Sequence, residues 1–249
     1  MRIVLAAALA FVAGPVFADQ VSDLIDGTIK ECRACDLQGA NFKKADLTGV
    51  DLSGADLTDA TFHRATLRGA VLTGVKAFGT NFNLADLTQA QMTQGDFGRA
   101  MFYGAQMSGA DLTGAILTEA RLQTARLTSA KLQGTQLDRT LMREAVANNA
   151  DFSNASMDQT NLNGARLGRS SFDGAAISYA GFVQAELSRA SFANATISLT
   201  DFYGADLRRA RVTGATLTGN RFTRAATREV NFDESIMSKN FMADGRLQE

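Results

Sequence analysis

The sequence feature that most constrains the fold is a five-residue period that continues to the end of the chain. Steps of five from Leu37 to Leu247 give 43 central positions, and 40 of these are Leu, Phe, Met, Ile or Val. The exceptions are Ala77, Ala147 and Thr227. Alanine stands two residues before the centre in 28 cases, and 15 of the 22 glycines stand two residues after one. Neither the 3.6-residue period of a helix nor the two-residue period of a strand gives this spacing.

A period of five results when a short strand is followed by a corner. The alanine and the centre then point inward, the residue between them points outward, and the last two residues turn the chain, where glycine relaxes the backbone. Four such sides make a coil of 20 residues. A 20-residue step also aligns many phenylalanines on one side, which predicts stacked rings in the core: Phe42, Phe62, Phe82, Phe102, Phe182, Phe202 and Phe222. Phe78 and Val146, beside two of the small centres, are candidates to turn inward and fill space.

Several repeats resemble the A-(D/N)-L-x-x motif of the pentapeptide-repeat family. They read ANFKK at 40–44, ADLTG at 45–49, ADLTD at 55–59 and ADLTG at 110–114. The resemblance covers nearly all of the chain after its first segment. It implies an all-β fold, the right-handed quadrilateral parallel β-helix, and the length predicts about ten to eleven 20-residue coils. The handedness and the number of sides come from the resemblance and not from the residues.

The first 31 residues carry no such repeat and predict two other segments. Residues 1–18 combine Arg2, an apolar run and small residues, which is typical of a secretory signal peptide cleaved after Ala18. The run is shorter than the roughly 20 residues that span a bilayer. Residues 19–31 have the apolar spacing of an amphipathic helix that caps the coil, and 32–249 form the β-helix. We therefore expect a soluble protein of the bacterial periplasm or the medium, with no membrane span after cleavage.

Two cysteines, Cys32 and Cys35, have a spacing that also occurs in redox proteins. In the five-residue register both occupy inward positions near the N-terminal cap. An oxidising compartment favours a structural disulfide between them. The alternatives are two buried thiols that act as small apolar side chains and, as the least favoured, a thiol oxidoreductase.

The chain contains few residue types that carry catalysis. His63 is the one histidine and falls at an outward corner without a partner. The aspartates that precede many centres are interpreted as hydrogen-bonding partners of the turn backbone: Asp36, Asp46, Asp51, Asp56, Asp86 and Asp111. We predict no catalytic residue, no metal site and no cofactor.

One side of the predicted coil is rich in arginine. Its outward positions are candidates for a partner surface, against the alternative of a solvated face partly paired with Glu186, Asp206 and Glu229. The candidates are Arg126, Arg166, Arg169, Arg189, Arg208, Arg209 and Arg228. The formal net charge is only −1, which gives no general reason to bind nucleic acid, and none is expected as a partner.

These patterns favour a non-catalytic, exported structural or protein-interaction module whose partner is a protein or a polyanion. The family resemblance supplies an alternative, since some members mimic duplex DNA and protect topoisomerases, although that role calls for a strongly acidic rod. The last coil carries Ile236, Phe241 and Met242, so either the final strand seals that end or two copies meet there as a homodimer.

Overall fold

The computed structural model describes residues 16–248, and its only α-helix in that range is α1, Val16–Ile25. The helix begins three residues before the expected mature N-terminus and ends earlier than the predicted position 31. Gly27 explains the early end, because its φ of 71° lies in the left-handed region that stops a helix. Leu24 is buried in the core, and Val21 and Ile29 pack against it. The segment therefore covers the first coil, while residues 1–15 of the predicted signal peptide lie outside the described range.

The rest of the chain winds into a coil in which residues 20 apart form parallel backbone pairs. One ladder starts at Glu31↔Asp51 and reaches Arg211↔Asn231 in ten successive pairs. Equivalent ladders run along the other three sides, which confirms the predicted parallel β-helix and its 20-residue coil. We number the faces by their centres: face 1 holds Leu52 and Leu72, face 2 Leu37 and Leu57, face 3 Phe42 and Phe62, and face 4 Leu47 and Leu67.

Continuous strands form on face 2 in the last five coils. They are β1 (Ser156–Asp158), β2 (Ala176–Ser178), β3 (Thr196–Ser198), β4 (Thr216–Thr218) and β5 (Ile236–Ser238), paired in that order. Two short strands follow, β6 (Asn240–Phe241) and β7 (Leu247–Gln248), which pair antiparallel. No helix in residues 16–248 is long and apolar enough to cross a membrane.

Each corner is a tight turn whose third residue has a positive φ. The Ala40 amide, for example, donates to the Leu37 carbonyl, and Gly39 between them has a φ of 63°. Every such corner from Ala34 to Lys239 has a φ between 50° and 70°, and 27 of these residues are not glycine. Glycine is therefore preferred but not required at the corner, and the stacked coils hold the other residues in a conformation that is unfavourable for L-amino acids.

The core consists of columns of side chains that repeat every coil. The predicted phenylalanine column on face 3 is confirmed, with centroids 4.8 Å apart for Phe42 and Phe62 and 5.0 Å for Phe182 and Phe202. A second stack, Phe152, Phe172 and Phe192 on face 1, was not predicted, although its 20-residue spacing is visible in the sequence. Rings of the two columns meet edge-on, so the core is continuous between faces.

The prediction that Phe78 turns inward is wrong. Its side chain is 43% exposed, lies against Gly98 and carries the Arg99 guanidinium 5.6 Å from its ring centroid. Val146 also keeps an outward, half-buried position. Ala77 and Ala147 remain fully buried. Neighbouring residues of a strand point to opposite sides, so a residue beside an inward-pointing centre points outward. An inward Phe78 or Val146 would break this alternation.

The C-terminal end is partly covered by its own last residues. Strand β7 doubles back beside β6, and the Met242 amide donates to the Arg246 carbonyl. Large apolar side chains nevertheless remain exposed there, namely Ile236, Phe241 and Leu247. The final strand therefore folds back, as expected if it seals this end of the coil, but it does not enclose the end completely.

Candidate functional site

The aspartates that precede the centres serve the backbone, as the sequence indicated. In all six cases one carboxylate oxygen accepts from the amide two residues later, as Asp46 does from Thr48 at 3.1 Å. The Thr48 hydroxyl also donates to Asp46, and the two bonds lower the pKa of this carboxyl. These carboxylates are therefore hydrogen-bonded within the coil and do not form a ligand-binding site.

The structure joins Cys32 and Cys35 in a disulfide with an S–S distance of 1.94 Å. The bond spans one corner, at which Ala34 has a φ of 52°. Cys32 is buried in the core, and Cys35 packs partly exposed against it. Helix α1 ends seven residues before Cys32, so its N-terminus is not placed to lower a thiol pKa. This geometry is that of a cross-link in the first coil.

His63 and the acidic residues do not assemble into a metal centre in the part of the chain that the structure describes. His63 is half-buried at its corner, and its carbonyl accepts from the Lys44 amide. No group of three or more His, Cys, Asp or Glu side chains within residues 16–248 lies close enough to hold a metal ion.

Five of the seven candidate arginines meet at one groove, where the chain turns from face 4 to face 1. They are Arg169, Arg189, Arg208, Arg209 and Arg228. Arg166 lies on face 4 and pairs with Glu186 at 3.8 Å, and Arg126 lies two coils earlier on the same face. The structure therefore assigns these last two to a neighbouring surface. We call the site lined by the other five the arginine groove; its volume is about 550 Å³.

The arginine groove is built from the two corner residues of five successive coils. The second corner positions are Asn149, Arg169, Arg189, Arg209 and Glu229, and backbone bonds hold them in register. The Arg169 amide donates to the Ser188 carbonyl at 3.0 Å, and the Arg189 amide to the Arg208 carbonyl at 2.9 Å. Successive coils stack at the strand spacing, so these side chains start about 4.8 Å apart.

The first corner positions form the floor of the groove. Asn148, Gly168 and Ser188 are short, whereas the next two coils carry Arg208 and Arg228. The side-chain Oδ1 of Asn148 accepts from the Gly168 amide at 3.0 Å, and a Cβ at Gly168 would stand 3.1 Å from that oxygen. Small residues thus leave a depression beside Arg169 and Arg189, and long cationic ones close it at the far end.

The charges of the groove are only partly neutralised. Arg208 pairs with Asp206 at 2.6 Å and lowers the pKa of that carboxyl, chiefly through its side-chain hydrogen bonds. Glu229 binds Arg209 at 2.7 Å and Arg228 at 3.1 Å.

Within residues 16–248, Arg169 and Arg189 form no ion pair and no side-chain hydrogen bond. Both are exposed, with the Ser188 hydroxyl and the Asn148 amide close by in the same groove. The uncompensated positive charge is therefore concentrated at these two arginines.

Family models for pentapeptide repeats match most of the chain. The model described as pentapeptide repeats matches residues 35–74, 80–119 and 105–143, and the one described as a pentapeptide repeat region matches 145–222. The chain belongs to the pentapeptide-repeat family. The expectation drawn from the ANFKK and ADLTG repeats is thereby confirmed.

The fold is similar to that of a solved pentapeptide-repeat protein. HetL, a pentapeptide-repeat protein involved in heterocyst differentiation regulation in the cyanobacterium Nostoc sp. strain PCC 7120, is 26% identical. The match covers 92% of this chain and 98% of HetL, with a TM-score of 0.73. Trypsin-treated QnrB1, a plasmid-mediated fluoroquinolone resistance protein, is 18% identical over 68% of this chain and 87% of its own, with a TM-score of 0.45. No curated protein matches the chain.

Sequence reasoning found the arginines of the groove but not its other residues. Asn148, Asn149, Gly168 and Ser188 carry no charge and were not considered. The signal that identifies them is the 20-residue step, because each stands one to three coils from an arginine already selected in the same column. Once four sides are assumed, the corner columns can be written directly from the sequence.

Proposed function

We propose that this protein is a non-catalytic, exported interaction module of the pentapeptide-repeat family that binds an anionic partner in the arginine groove. The observation that carries the proposal is the pair Arg169 and Arg189, exposed in a depression without an acidic neighbour. Five stacked coils position them rigidly, so binding requires little ordering of the backbone. A charged groove of this kind attracts an oppositely charged partner from solution and sets the orientation of the complex.

The same groove opposes the alternative of a DNA mimic. A mimic of duplex DNA needs a predominantly acidic surface, whereas this rod is near neutral and presents five arginines along one corner. A thiol oxidoreductase is disfavoured because Cys32 is buried within the first coil.

Affinity capture from periplasmic extract tests the binding function. The bait pair is the wild-type protein and the Arg169→Gln/Arg189→Gln variant, with Arg64→Gln/Arg126→Gln as a control. The control removes the same charge from exposed positions outside the groove, and Arg64 shares the corner conformation with a φ of 58°. We expect a partner that the wild type and the control retain, that the groove variant loses, and that moderate salt weakens. Identical capture by all three proteins would refute the function.

Export has its own test. The proposal expects a mature chain that begins at Asp19 in the periplasmic fraction. It also expects Cys32 and Cys35 to be oxidised there, so intact mass should rise by two hydrogens on reduction. A full-length chain that stays in the cytoplasm with free thiols would contradict export and leave the groove to be judged separately.

A further inference from the structure

The arginine groove offers two cations that stand one above the other at equivalent positions. Arg169 and Arg189 are separated by one coil, and both have a φ of 60°. Their side chains therefore leave the backbone in the same direction, about 4.8 Å apart. Asp206 and Glu229 form ion pairs with the other three arginines of the groove, so Arg169 and Arg189 are the two available to a ligand.

The pair suits a tetrahedral oxyanion better than a carboxylate. A carboxylate has two oxygens in one plane, and a single guanidinium fork satisfies both. A phosphate ester presents three acceptor oxygens in different directions, so two neighbouring guanidinium groups can each donate to different oxygens at about 2.8 Å. Two forks stacked at the coil spacing match that requirement.

The floor of the groove fits the same ligand. Gly168 and Ser188 are short and leave a depression beside the two arginines, and the Ser188 hydroxyl adds a neutral donor. The volume of about 550 Å³ exceeds the needs of a phosphate group alone and admits the molecule that carries it. We infer that Arg169 and Arg189 form a clamp for one phosphate group of a larger ligand. This inference rests on the proposed function and specifies the chemistry of its ligand.

Phenyl phosphate and benzoate form a matched pair of probes, because they place a phosphate and a carboxylate on the same ring. Titrations of the whole protein followed by the backbone amide signals of Arg169 and Arg189 give both affinities. We expect phenyl phosphate to bind at least roughly tenfold more tightly, since it gains a second charged donor. Arg169→Lys/Arg189→Lys retains the charge but removes the forks, and should reduce the preference to the part that the extra negative charge of phenyl phosphate supplies. The matched control is Arg64→Lys/Arg126→Lys, which should behave as the wild type does.

Equal affinity for the two probes, or an unchanged preference in the lysine variant, would overturn the clamp. Such a result would leave the proposed function intact if Arg169→Gln/Arg189→Gln still abolished partner capture. Conversely, capture that survives this glutamine variant would refute the function whatever phenyl phosphate does.

A second arm identifies the source of the phosphate. Vesicles of phosphatidylcholine with and without phosphatidic acid are sedimented with the protein. Retention by phosphatidic acid that phenyl phosphate competes away, and that the lysine variant lacks, supports a lipid headgroup as the ligand. Binding of phenyl phosphate without retention on these vesicles supports a soluble phosphate ester. Retention that the lysine variant keeps unchanged would count against the clamp at the membrane.

Discussion

Asn220 provides the sharpest test of how the β-helix is held together, because its position is occupied by alanine in most repeats. The expectation from the repeat consensus is that Asn220→Ala is neutral or stabilising. The structure leads to the opposite expectation. The Asn220 side chain is fully buried, accepts from the Thr200 amide at 2.9 Å and donates to the Ile197 carbonyl at 3.0 Å. In the coils from Ala40 to Thr140, the equivalent amide instead closes the corner by donating to the carbonyl three residues earlier, as Ala40 does to Leu37.

The magnitude follows from the groups that alanine would leave behind. The Thr200 amide would be buried without this partner, whereas the Ile197 carbonyl keeps the Thr218 amide of the strand ladder as a donor. The unpaired amide costs about 1–3 kcal/mol and the lost bond to Ile197 about 1 kcal/mol, so the variant should lose about 2–4 kcal/mol of unfolding free energy. Ser170→Ala is the matched control, since the Ser170 hydroxyl donates to the Leu167 carbonyl, which the Ser170 amide also reaches. Losing that bond should cost only about 1 kcal/mol.

Guanidinium denaturation of both variants at pH 7 measures the difference, and hydrogen exchange at the Thr200 amide reports the local effect. Because stacked repeats can unfold in parts, the comparison should use the whole denaturation curve and not one midpoint. The reasoning would be refuted if Asn220→Ala were as stable as Ser170→Ala with Thr200 still protected. That outcome would mean that the coil closes its corner again at no cost, by the backbone bond that Ala40 makes to Leu37.

Three further predictions concern the core, the corners and acid stability. Phe62→Ala should cost about 3–5 kcal/mol and Phe62→Leu markedly less in denaturation curves, because leucine refills most of the volume and loses mainly the two stacked contacts. Equal losses would contradict this, because they would mean that the ring contacts and not the filled volume carry the stability. Thr124→Gly should stabilise the protein by up to about 1 kcal/mol, because the φ of 56° at Thr124 is strained for a β-branched residue. The gain is limited because glycine loses more chain entropy on folding. A lower melting temperature would contradict this prediction. Hydrogen bonds from the Ser53 hydroxyl and amide, followed by those from Arg33, lower the pKa of Asp51. The stability that Asp51 adds over Asp51→Asn should therefore be complete above about pH 4 and disappear as the pH falls below its folded-state pKa, as urea midpoints across pH can check.

Most of the backbone could be predicted from the sequence because one rule repeats in every coil. A large residue at each centre and a small one two positions earlier identify the inward line, and the 20-residue alignment of Phe42 and Phe62 agrees with the four sides that the family resemblance implies. The local exceptions could not be predicted in the same way. Phe78 stays outside because neighbouring coils offer it Gly98 and Arg99 as packing partners, and that information is three-dimensional.

The arginine groove shows the same division between register and side-chain conformation. The 20-residue step places Arg169, Arg189, Arg209 and Glu229 in one column, so the column can be read from the sequence. It does not decide which arginine Glu229 binds. Glu229 selects Arg209, one coil away, and its chain neighbour Arg228, and this leaves Arg169 and Arg189 without an acidic partner among the described residues. Had the single carboxylate stood at the middle of the column, it could have paired with both neighbours, as Glu119 does with Arg99 and Arg139. The place at which arginines remain unpaired therefore depends on the position of one glutamate at the end of the column.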